Sequence, residues 1–349
     1  MEIISLFSGC GGLDKGFEQA GFEVTWANEF DSKIWDTFAY NFPHSRLDRR
    51  SIVLVPTEEI PSAIGVIGGP PCQSWSEAGA LRGIQDERGK LFFEFMRVLR
   101  DKQPLFFLAE NVSGLLAQRH EAAFRSILRQ FKSAGYRVSW QLLNAKDFGV
   151  PQDRQRVVFV GYRKDMNLEF VFPDTSGPHL TLKDAIWDLR ASSMPARPGN
   201  KTHGATLKVP NHEYLVGGFS TIYMSRNRVR GWHEPSYTIQ AGGRHAPIHP
   251  QANKMIAAGL NRFIFDPQSP QPYRRLSVRE CARVQTFPDD FTFIYDSVAD
   301  GYKMIGNAVP VTFAMALAQK IKGDIQERCG SVNAIYGKFD ERRFLKQAA

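Results

Sequence analysis

The chain has 349 residues, 43% of them hydrophobic, and a formal net charge of +8. This composition predicts a large core in one large domain or two unequal ones. Four scattered cysteines without a CxxC pair, and the lack of a signal-like start, favour a reducing cytosol and argue against structural zinc. No apolar run approaches the ~20 residues that cross a membrane. We therefore expect a soluble protein with no metal site, and the basic charge hints weakly at a polyanionic partner.

The first 160 residues alternate strand and helix patterns. Strands are predicted at residues 3–7, 22–27, 63–68, 104–109, 137–143 and 156–162, and helices at residues 11–20, 32–40, 89–100 and 121–134. Such alternation predicts an α/β fold with a doubly wound, mostly parallel sheet. Ligands of these sheets lie beyond the carboxyl ends of the strands, so the residues that follow each strand are candidates for function.

The first strand ends in a glycine-rich turn that opens a helix, Phe7-Ser8-Gly9-Cys10-Gly11-Gly12-Leu13. It differs from the dinucleotide fingerprint because Asp14 occupies the position of the third glycine. Glu29 ends the second strand, where it could accept hydrogen bonds from ribose hydroxyls, and Phe30 beside it offers a stacking face. S-adenosylmethionine fits this arrangement better than NAD does, because no pyrophosphate has to be bound.

The strand ending at Gly68 leads into a rigid loop that carries a thiol, Gly69-Pro70-Pro71-Cys72-Gln73-Ser74-Trp75-Ser76. A lone cysteine is more often a small buried hydrophobic residue than a nucleophile. Two prolines fix the backbone before Cys72, however, and can continue neither strand nor helix. The position at the end of an apolar strand favours a nucleophile.

Polar residues also follow two later strands. Glu110 comes after an apolar strand and should lie on the same rim as Cys72, although a charge at a helix N-terminus is an equal alternative. The strand that begins near Gln152 should send Arg154 and Arg156 to one side. For these arginines the alternative is a surface ladder.

Arginines occur in clusters with aromatic and glycine residues between them. Arginine binds phosphates and guanine edges through its planar fork, whereas lysine would serve a merely solvated surface equally well. Solvated surface charge remains the alternative for any one cluster. The clusters are Arg154 and Arg156; Arg226, Arg228 and Arg230; Arg244; and Arg274, Arg275, Arg279 and Arg283.

Taken in order, the motifs resemble the DNA (cytosine-5)-methyltransferase family over nearly the whole chain. The text Gln73-Ser74-Trp75-Ser76-Glu77 and Ser225-Arg226-Asn227-Arg228-Val229-Arg230 is similar to the HaeIII-type modification enzymes, which act on GGCC. The family motifs are the glycine-rich turn, Pro70-Pro71-Cys72-Gln73-Ser74, Glu110-Asn111-Val112, Gln152-x-Arg154-x-Arg156, Arg279-Glu280-Cys281-Ala282-Arg283-Val284-Gln285-x-Phe287-Pro288 and Gly306-Asn307-Ala308-Val309-Pro310.

The resemblance implies a covalent mechanism. Cytosine C5 is a poor nucleophile, so the Cys72 thiolate first adds to C6 of a cytosine flipped out of the duplex. Glu110 faces N3 and the exocyclic amine, and Arg154 or Arg156 faces O2. These four residues are the expected catalytic set.

The resemblance also implies a fold of the S-adenosylmethionine-dependent methyltransferase type and assigns binding residues. Phe30 stands where many relatives have Trp, and the glycine that usually precedes Asp48 is missing. The expected cofactor residues are Phe7, Ser8, Gly9, Gly11, Gly12, Leu13, Glu29, Phe30, Asp48, Pro70, Leu91, Asn307 and Val309. The expected DNA contacts are Gln73, Ser74, Ser76, Arg226, Arg228, Arg230 and Arg244.

The same resemblance divides the chain and suggests its partners. We expect a catalytic and cofactor-binding domain at residues 1–177, an irregular target-recognition domain at 178–275, a hinge at 276–300, a returning segment at 301–325 and a tail at 326–349. A monomer in the bacterial cytoplasm, near the nucleoid, would act on double-stranded DNA beside an independent cognate restriction endonuclease. An RNA cytosine methyltransferase, or a DNA-binding regulator without turnover, stays an alternative.

Overall fold

The fold is organised around a seven-stranded sheet. The computed structural model describes residues 1–71, 87–174 and 179–336, the side chains of residues 87–90 and 329–336 excepted. The strands are β1 (Glu2–Leu6), β2 (Glu23–Asn28), β3 (Arg46–Asp48), β4 (Gly65–Gly68), β5 (Phe106–Val112), β6 (Tyr136–Asn144) and β7 (Gln155–Arg163), in the spatial order β3-β2-β1-β4-β5-β7-β6. The predicted α/β class with a mostly parallel sheet is confirmed.

Two features of the sheet were not predicted. Strand β7 runs antiparallel to both β5 and β6. Only residues 145–154 join β6 to β7, too few for the crossover that a parallel pair needs, so the chain folds back as a hairpin. Strand β3 has only three residues, too short to show an alternating pattern.

Helices cover both faces of the sheet. The helices are α1 (Gly12–Gln19), α2 (Trp35–Asn41), α3 (Glu87–Lys102), α4 (Glu121–Ser133), α5 (Leu182–Ile186), α6 (Val278–Val284), α7 (Val298–Asn307) and α8 (Val311–Tyr336). Because side chains alternate along β1, Ile3 joins the apolar cluster under α1 and α8, whereas Ile4 joins the cluster under α3 and α4. Helix α8 thus returns to the first strand, and it continues beyond the boundary predicted at residue 325.

Residues 179–275, here called the recognition segment, lack the alternating rhythm. Their strands pair in two small sheets, β8 (Met194–Pro195) with β9 (Glu213–Tyr214) and β10 (Ile256–Gly259) with β11 (Arg262–Ile264). A separate apolar cluster includes Tyr223, Val229, Ile248, Ala252 and Met255. Across the described ranges, no helix combines the length and the apolar character needed to span a bilayer.

Candidate active site

The glycine-rich turn lies at the carboxyl end of β1. Its backbone is held by the Ser8 N–H, which donates to the carbonyl of Asn28 on β2 at 3.2 Å. Phe7 and Gly9 both have positive φ, 55° and 56°. A Cβ built at Gly9 would meet no described atom within 4 Å, so the turn is open at this residue, whereas Gly11 packs against Phe42. The backbone at Gly9 can therefore approach a ligand closely.

Glu29 holds the turn in shape. Its Oε2 accepts from the Gly9 N–H at 3.0 Å, and its Oε1 accepts from the Asp31 N–H at 2.8 Å. Burial raises the pKa of Glu29, while these two hydrogen bonds lower it. Each carboxylate oxygen keeps a lone pair beyond its backbone bond, so the side chain can still accept hydroxyl donors such as those of a ribose.

Phe30 and Asp48 flank this position but differ in availability. The Phe30 ring is 64% exposed, as a stacking face should be. Both carboxylate oxygens of Asp48 accept from Arg50, at 3.1 Å from Nε and 2.6 Å from Nη2, and Arg50 holds the pKa of this carboxyl below its usual range. A cofactor amine at Asp48 would therefore share the carboxylate with Arg50.

Of the other predicted cofactor residues, Val309 packs directly against the start of α1. Val309 lies at the junction of α7 and α8, where its carbonyl is 2.4 Å from a Cβ built at Gly12. Asn307, two residues before Val309, is exposed. Phe7 and Leu91 both pack, partly buried, against the apolar cluster under α3 and α4. The structure thus brings the return of the chain against the start of α1.

Glu110 and Arg156 form an ion pair at the adjacent strand ends. Arg156 Nε on β7 lies 2.6 Å from Glu110 Oε1 on β5, and the side chains are only 13% and 12% exposed. Glu110 Oε2 lies 3.3 Å from a Cβ built at Gly69, which places the acid beside the loop that follows β4. The pair occupies the rim where the sequence predicts catalysis.

Asn111 connects the same strand to that loop, a contact that sequence reasoning missed. Its Nδ2 donates to the carbonyl of Pro70 at 2.9 Å, two residues before Cys72. The Glu110-Asn111-Val112 motif could have indicated this contact, since a side-chain amide beside the predicted acid can donate a hydrogen bond to the backbone of a neighbouring loop. Cys72, Gln73, Ser74 and Ser76 lie outside the described residues.

Arg154 lies in a different environment from Arg156. It is only 1% exposed, and its guanidinium donates to the carbonyls of Ile239, Gly306 and Ala308, each at 2.9 Å. Burial lowers its pKa, Arg156 lowers it further, and Glu110 raises it. Regular pairing of β7 begins at Gln155, so the alternation predicted from Gln152 onward does not describe Arg154. Of the two arginines, Arg156 is the one that contacts the predicted acid.

Two other cysteines, Cys10 and Cys281, are free and buried. Burial raises the pKa of both thiols well above the ordinary value, so neither is poised as a thiolate. The Cys10 thiol donates to the backbone carbonyl of Met304 at 3.5 Å and packs in the apolar cluster under α1 and α8. They fit the role of small core residues.

The four arginines predicted to contact DNA fall into two pairs. Arg226 and Arg244 are exposed, and their side chains make no hydrogen bond or ion pair within the described ranges. Arg228 donates to the carbonyl of Tyr223 at 2.7 Å and lies over that ring. Arg230 contacts Glu234 at 3.3 Å. Among the described residues, then, the first pair has no internal partner, whereas the second pair is partly exposed and bound within the segment.

Three arginines of the fourth cluster, Arg274, Arg275 and Arg279, are buried, so the inference that they contact phosphate or guanine is wrong. Arg274 forms a bidentate pair with Glu280, at 2.7 and 2.8 Å. Arg275 donates to backbone carbonyls of the recognition segment, and Arg279 to those of residues 210 and 291. Arg283 pairs with acidic side chains at residues 188 and 289. These arginines anchor the recognition segment and α6 to each other.

Known proteins are similar to the chain along nearly its whole length. The profile of the family described as C-5 cytosine-specific DNA methylase matches residues 1–323. The chain is 56% identical over 327 residues to the Type II methyltransferase M.MthTI of Methanothermobacter thermautotrophicus, covering 93% of this chain and 98% of that protein. It is 53% identical over 331 residues to the Type II methyltransferase M.FnuDI of Fusobacterium nucleatum, covering 94% and 96%. A solved DNA modification methyltransferase from an E. coli prophage has a TM-score of 0.70 at 25% identity, over 93% of this chain and 99% of that chain.

Proposed function

The chain belongs to the C-5 cytosine-specific DNA methylase family, and from this premise we propose that it is the modification enzyme of a Type II restriction–modification system. It is an S-adenosylmethionine-dependent DNA (cytosine-5)-methyltransferase. Its substrate is double-stranded DNA, in which one cytosine is flipped out of the helix. The observation that carries the proposal is the Glu110–Arg156 pair at the rim of the sheet, beside the loop that leads to Cys72.

The turn after β1 fits S-adenosylmethionine. The open turn at Gly9 would hold the methionine part of the cofactor. The carboxylate of Glu29 would accept hydrogen bonds from the ribose, and the exposed ring of Phe30 would stack on the adenine. When bound, the cofactor supplies an electrophilic methyl group. The helix N-terminus of α1 favours its carboxylate.

The catalytic residues act on the base. The Cys72 thiolate adds to C6, forming a carbon–sulfur bond and pushing an electron pair toward O2 and N3. Protonated Glu110 donates its proton at N3, and Arg156 holds the acid in place and donates toward O2. After C5 has gained the methyl group, with S-adenosylhomocysteine as the by-product, a base removes the C5 proton, the electron pair expels the thiolate, and the N3 proton returns to Glu110. Cys72 is thereby regenerated.

The recognition segment would select the sequence, and we propose GGCC. This site contains only guanine and cytosine, and arginine is the usual bidentate partner of guanine O6 and N7. The side chains of Arg226 and Arg244, exposed and without a partner among the described residues, support a reading role. Arg228 and Arg230, which are bound within the segment, would support the loop that carries these readers.

Bisulfite sequencing of plasmid DNA from cells that express the protein tests this function. We expect 5-methylcytosine at one position of every GGCC, and none in cells expressing Cys72→Ser. Transfer of labelled methyl groups to purified duplex DNA, compared with tRNA, separates a DNA enzyme from an RNA enzyme. Methylation at a different sequence would overturn GGCC alone, whereas label in tRNA but not in duplex DNA would overturn the DNA substrate.

A further inference from the structure

The guanidinium of Arg154 joins parts of the chain that are distant in sequence. Its Nη1 donates to the carbonyl of Ile239 in the recognition segment at 2.9 Å. Its Nη2 donates at 2.9 Å to the carbonyls of both Gly306 and Ala308, in what we call the return turn, residues 306–309. A planar fork can serve three carbonyls in fixed directions, which the single ammonium of lysine cannot.

Two buried glutamines complete this network. Gln152 accepts from the Ile239 N–H at 2.8 Å and donates to Gln285 Oε1 at 2.8 Å. Gln285 donates in turn to the carbonyls of Ile305 at 2.8 Å and Ala308 at 3.2 Å. Both peptide groups of Ile239 are therefore held by side chains near the start of β7. Arg154 Nε has no hydrogen-bond partner among the described residues, but the remaining buried hydrogen bonds hold the joined segments rigid relative to one another.

The return turn is closely packed on both sides. A Cβ built at Gly306 would lie 2.3 Å from the carbonyl carbon of Gln240, so the recognition segment touches the backbone of the turn directly. On the other side, a Cβ built at Gly12 would lie 2.4 Å from the Val309 carbonyl oxygen. Since close-packed backbones transmit displacement, a shift at the start of α1 reaches Gln240 through this turn.

We propose that Arg154 is a positioning residue that couples the binding of the cofactor to the binding of duplex DNA. The inference rests on the proposed function, because it takes the turn after β1 as the cofactor site and the recognition segment as the DNA site. Arg154 is only 1% exposed, so we infer that it touches neither ligand itself. It holds the return turn and Ile239 together, so that each ligand favours the arrangement that the other requires.

The coupling is measured with S-adenosylhomocysteine, which binds without turnover. Its dissociation constant is determined by calorimetry with and without a saturating GGCC duplex, and the ratio of the two values is the coupling factor. For the wild-type protein we expect tighter binding with DNA, by about fivefold or more. Arg154→Lys keeps the charge but loses the fork, and its coupling factor should fall to within about twofold of one.

A second arginine of β7 provides the matched control. Arg163, at the opposite end of the strand, donates to the Gln103 carbonyl and to Asp165. Arg163→Lys should lower the melting temperature and leave the coupling factor at the wild-type value. A merely stabilising role for Arg154 would give the same result as Arg163→Lys.

Gln152→Met is the second test variant, because it removes the acceptor of the Ile239 N–H while Arg154 remains. We expect an intermediate coupling factor, and this variant decides if Arg154→Lys does not fold. A coupling factor near one in the wild-type protein would overturn the proposal. So would a test variant that folds and keeps the coupling factor of the wild-type protein. Methyl transfer to the same duplex is measured in parallel. Its absence in the wild-type protein would refute the proposed function, whereas transfer with unchanged coupling would refute only this inference.

Discussion

The sheet with its helices and the recognition segment are stabilised in different ways. The sheet buries long apolar strands in two large clusters, whereas the recognition segment adds a few residues, such as Leu215 and Ile239, to one of them and forms a small cluster of its own. Buried polar side chains also stabilise the recognition segment. Arg275, for example, donates to the carbonyls of Gly217 and Gly218, at 3.1 and 2.8 Å. The number of arginines in a DNA-binding protein therefore does not indicate the number of its DNA contacts, because an irregular segment also uses arginines for its own internal hydrogen bonds.

The two regions also treat buried carboxylates differently. Asp14, under the glycine-rich turn, is fully buried beside the Ser5 hydroxyl, and its carboxylate forms no ion pair within the described residues. Glu280, which holds the recognition segment, is equally buried but is paired with Arg274. Burial raises the pKa of Asp14 to about 7. Burial also acts to raise the pKa of Glu280, yet Arg274 and His249 hold it well below the usual range.

The largest expected effect concerns the chemistry that we assign to the sheet. Cys72→Ser should lose methyl transfer below detection, because the hydroxyl has too high a pKa to replace the thiolate. Binding of a GGCC duplex, measured by fluorescence anisotropy, should persist, since the recognition segment is intact. Substantial turnover by this variant would refute the covalent mechanism. Loss of binding instead would show that the two regions are not separable.

Arg156→Ala should damage the chemical step specifically. Removal of a donor beside the reacting base costs about 10²–10³ in kcat. The affinities for S-adenosylhomocysteine and duplex DNA should change little, because Arg156 contacts Glu110 and not the binding segments. Pre-steady-state methylation compared with equilibrium binding checks the split. An equal loss in binding would assign Arg156 to positioning rather than to chemistry.

Asp14→Asn should sharpen the contrast between the two carboxylates through its pH dependence. A carboxyl whose folded pKa is raised contributes stability below its unfolded pKa of 3.8, and this contribution is lost as the pH rises to about 7. The variant should therefore gain about 1–3 kcal/mol at pH 8, after the cost of burying an amide, and little or nothing at pH 4. Urea unfolding at both pH values measures this.

Glu280→Gln is the control for that experiment. A carboxyl with a lowered pKa contributes stability above its unfolded pKa, which is lost as the pH falls. This variant should lose stability at pH 8, the opposite sign to Asp14→Asn. A loss by both variants would mean that Asp14 has a partner in solution.

Glu29→Ala tests the assignment of the cofactor site. We expect S-adenosylmethionine binding to weaken by about 1.5–3 kcal/mol, the range for a hydrogen bond to a charged group. Part of the loss comes from the Gly9 N–H, which would lose its acceptor. Calorimetry measures the change, and DNA affinity without cofactor should stay constant. Unchanged cofactor affinity would refute the ribose assignment.

The smallest predicted effect distinguishes the exposed Arg226 and Arg244 from Arg228, which is bound within the recognition segment. Arg226→Ala and Arg244→Ala should each cost about 1–3 kcal/mol on GGCC and relax the preference at one base pair. Arg228→Ala should weaken all duplexes nearly equally, because its partners are carbonyls at residues 222 and 223. Methylation of oligonucleotides with one changed base pair each provides the measurement. A uniform loss in all three variants would show that readout lies elsewhere.

The sequence predicted the parts of the molecule that local pattern controls. Strand ends gave the positions of the glycine-rich turn, Glu29 and Glu110, because the carboxyl ends of parallel strands meet at one edge of the sheet. The role of Arg154 could not be predicted in this way. Its partners Ile239 and Gly306 are 85 and 152 residues away, and no local periodicity reports contacts of that range. The same holds for Arg275, whose acceptors are more than 50 residues distant.

The central claim is that Cys72 attacks a cytosine of duplex DNA at a rim formed by Glu110 and Arg156. It is tested most directly with a GGCC duplex that carries 5-fluorocytosine at the target position, incubated with S-adenosylmethionine. Because fluorine cannot leave as the C5 proton does, the account predicts a complex that resists denaturant, with the modified base mapped to Cys72 by mass spectrometry. Absence of any such complex on a duplex whose unfluorinated form is methylated, or attachment at another residue, would contradict it.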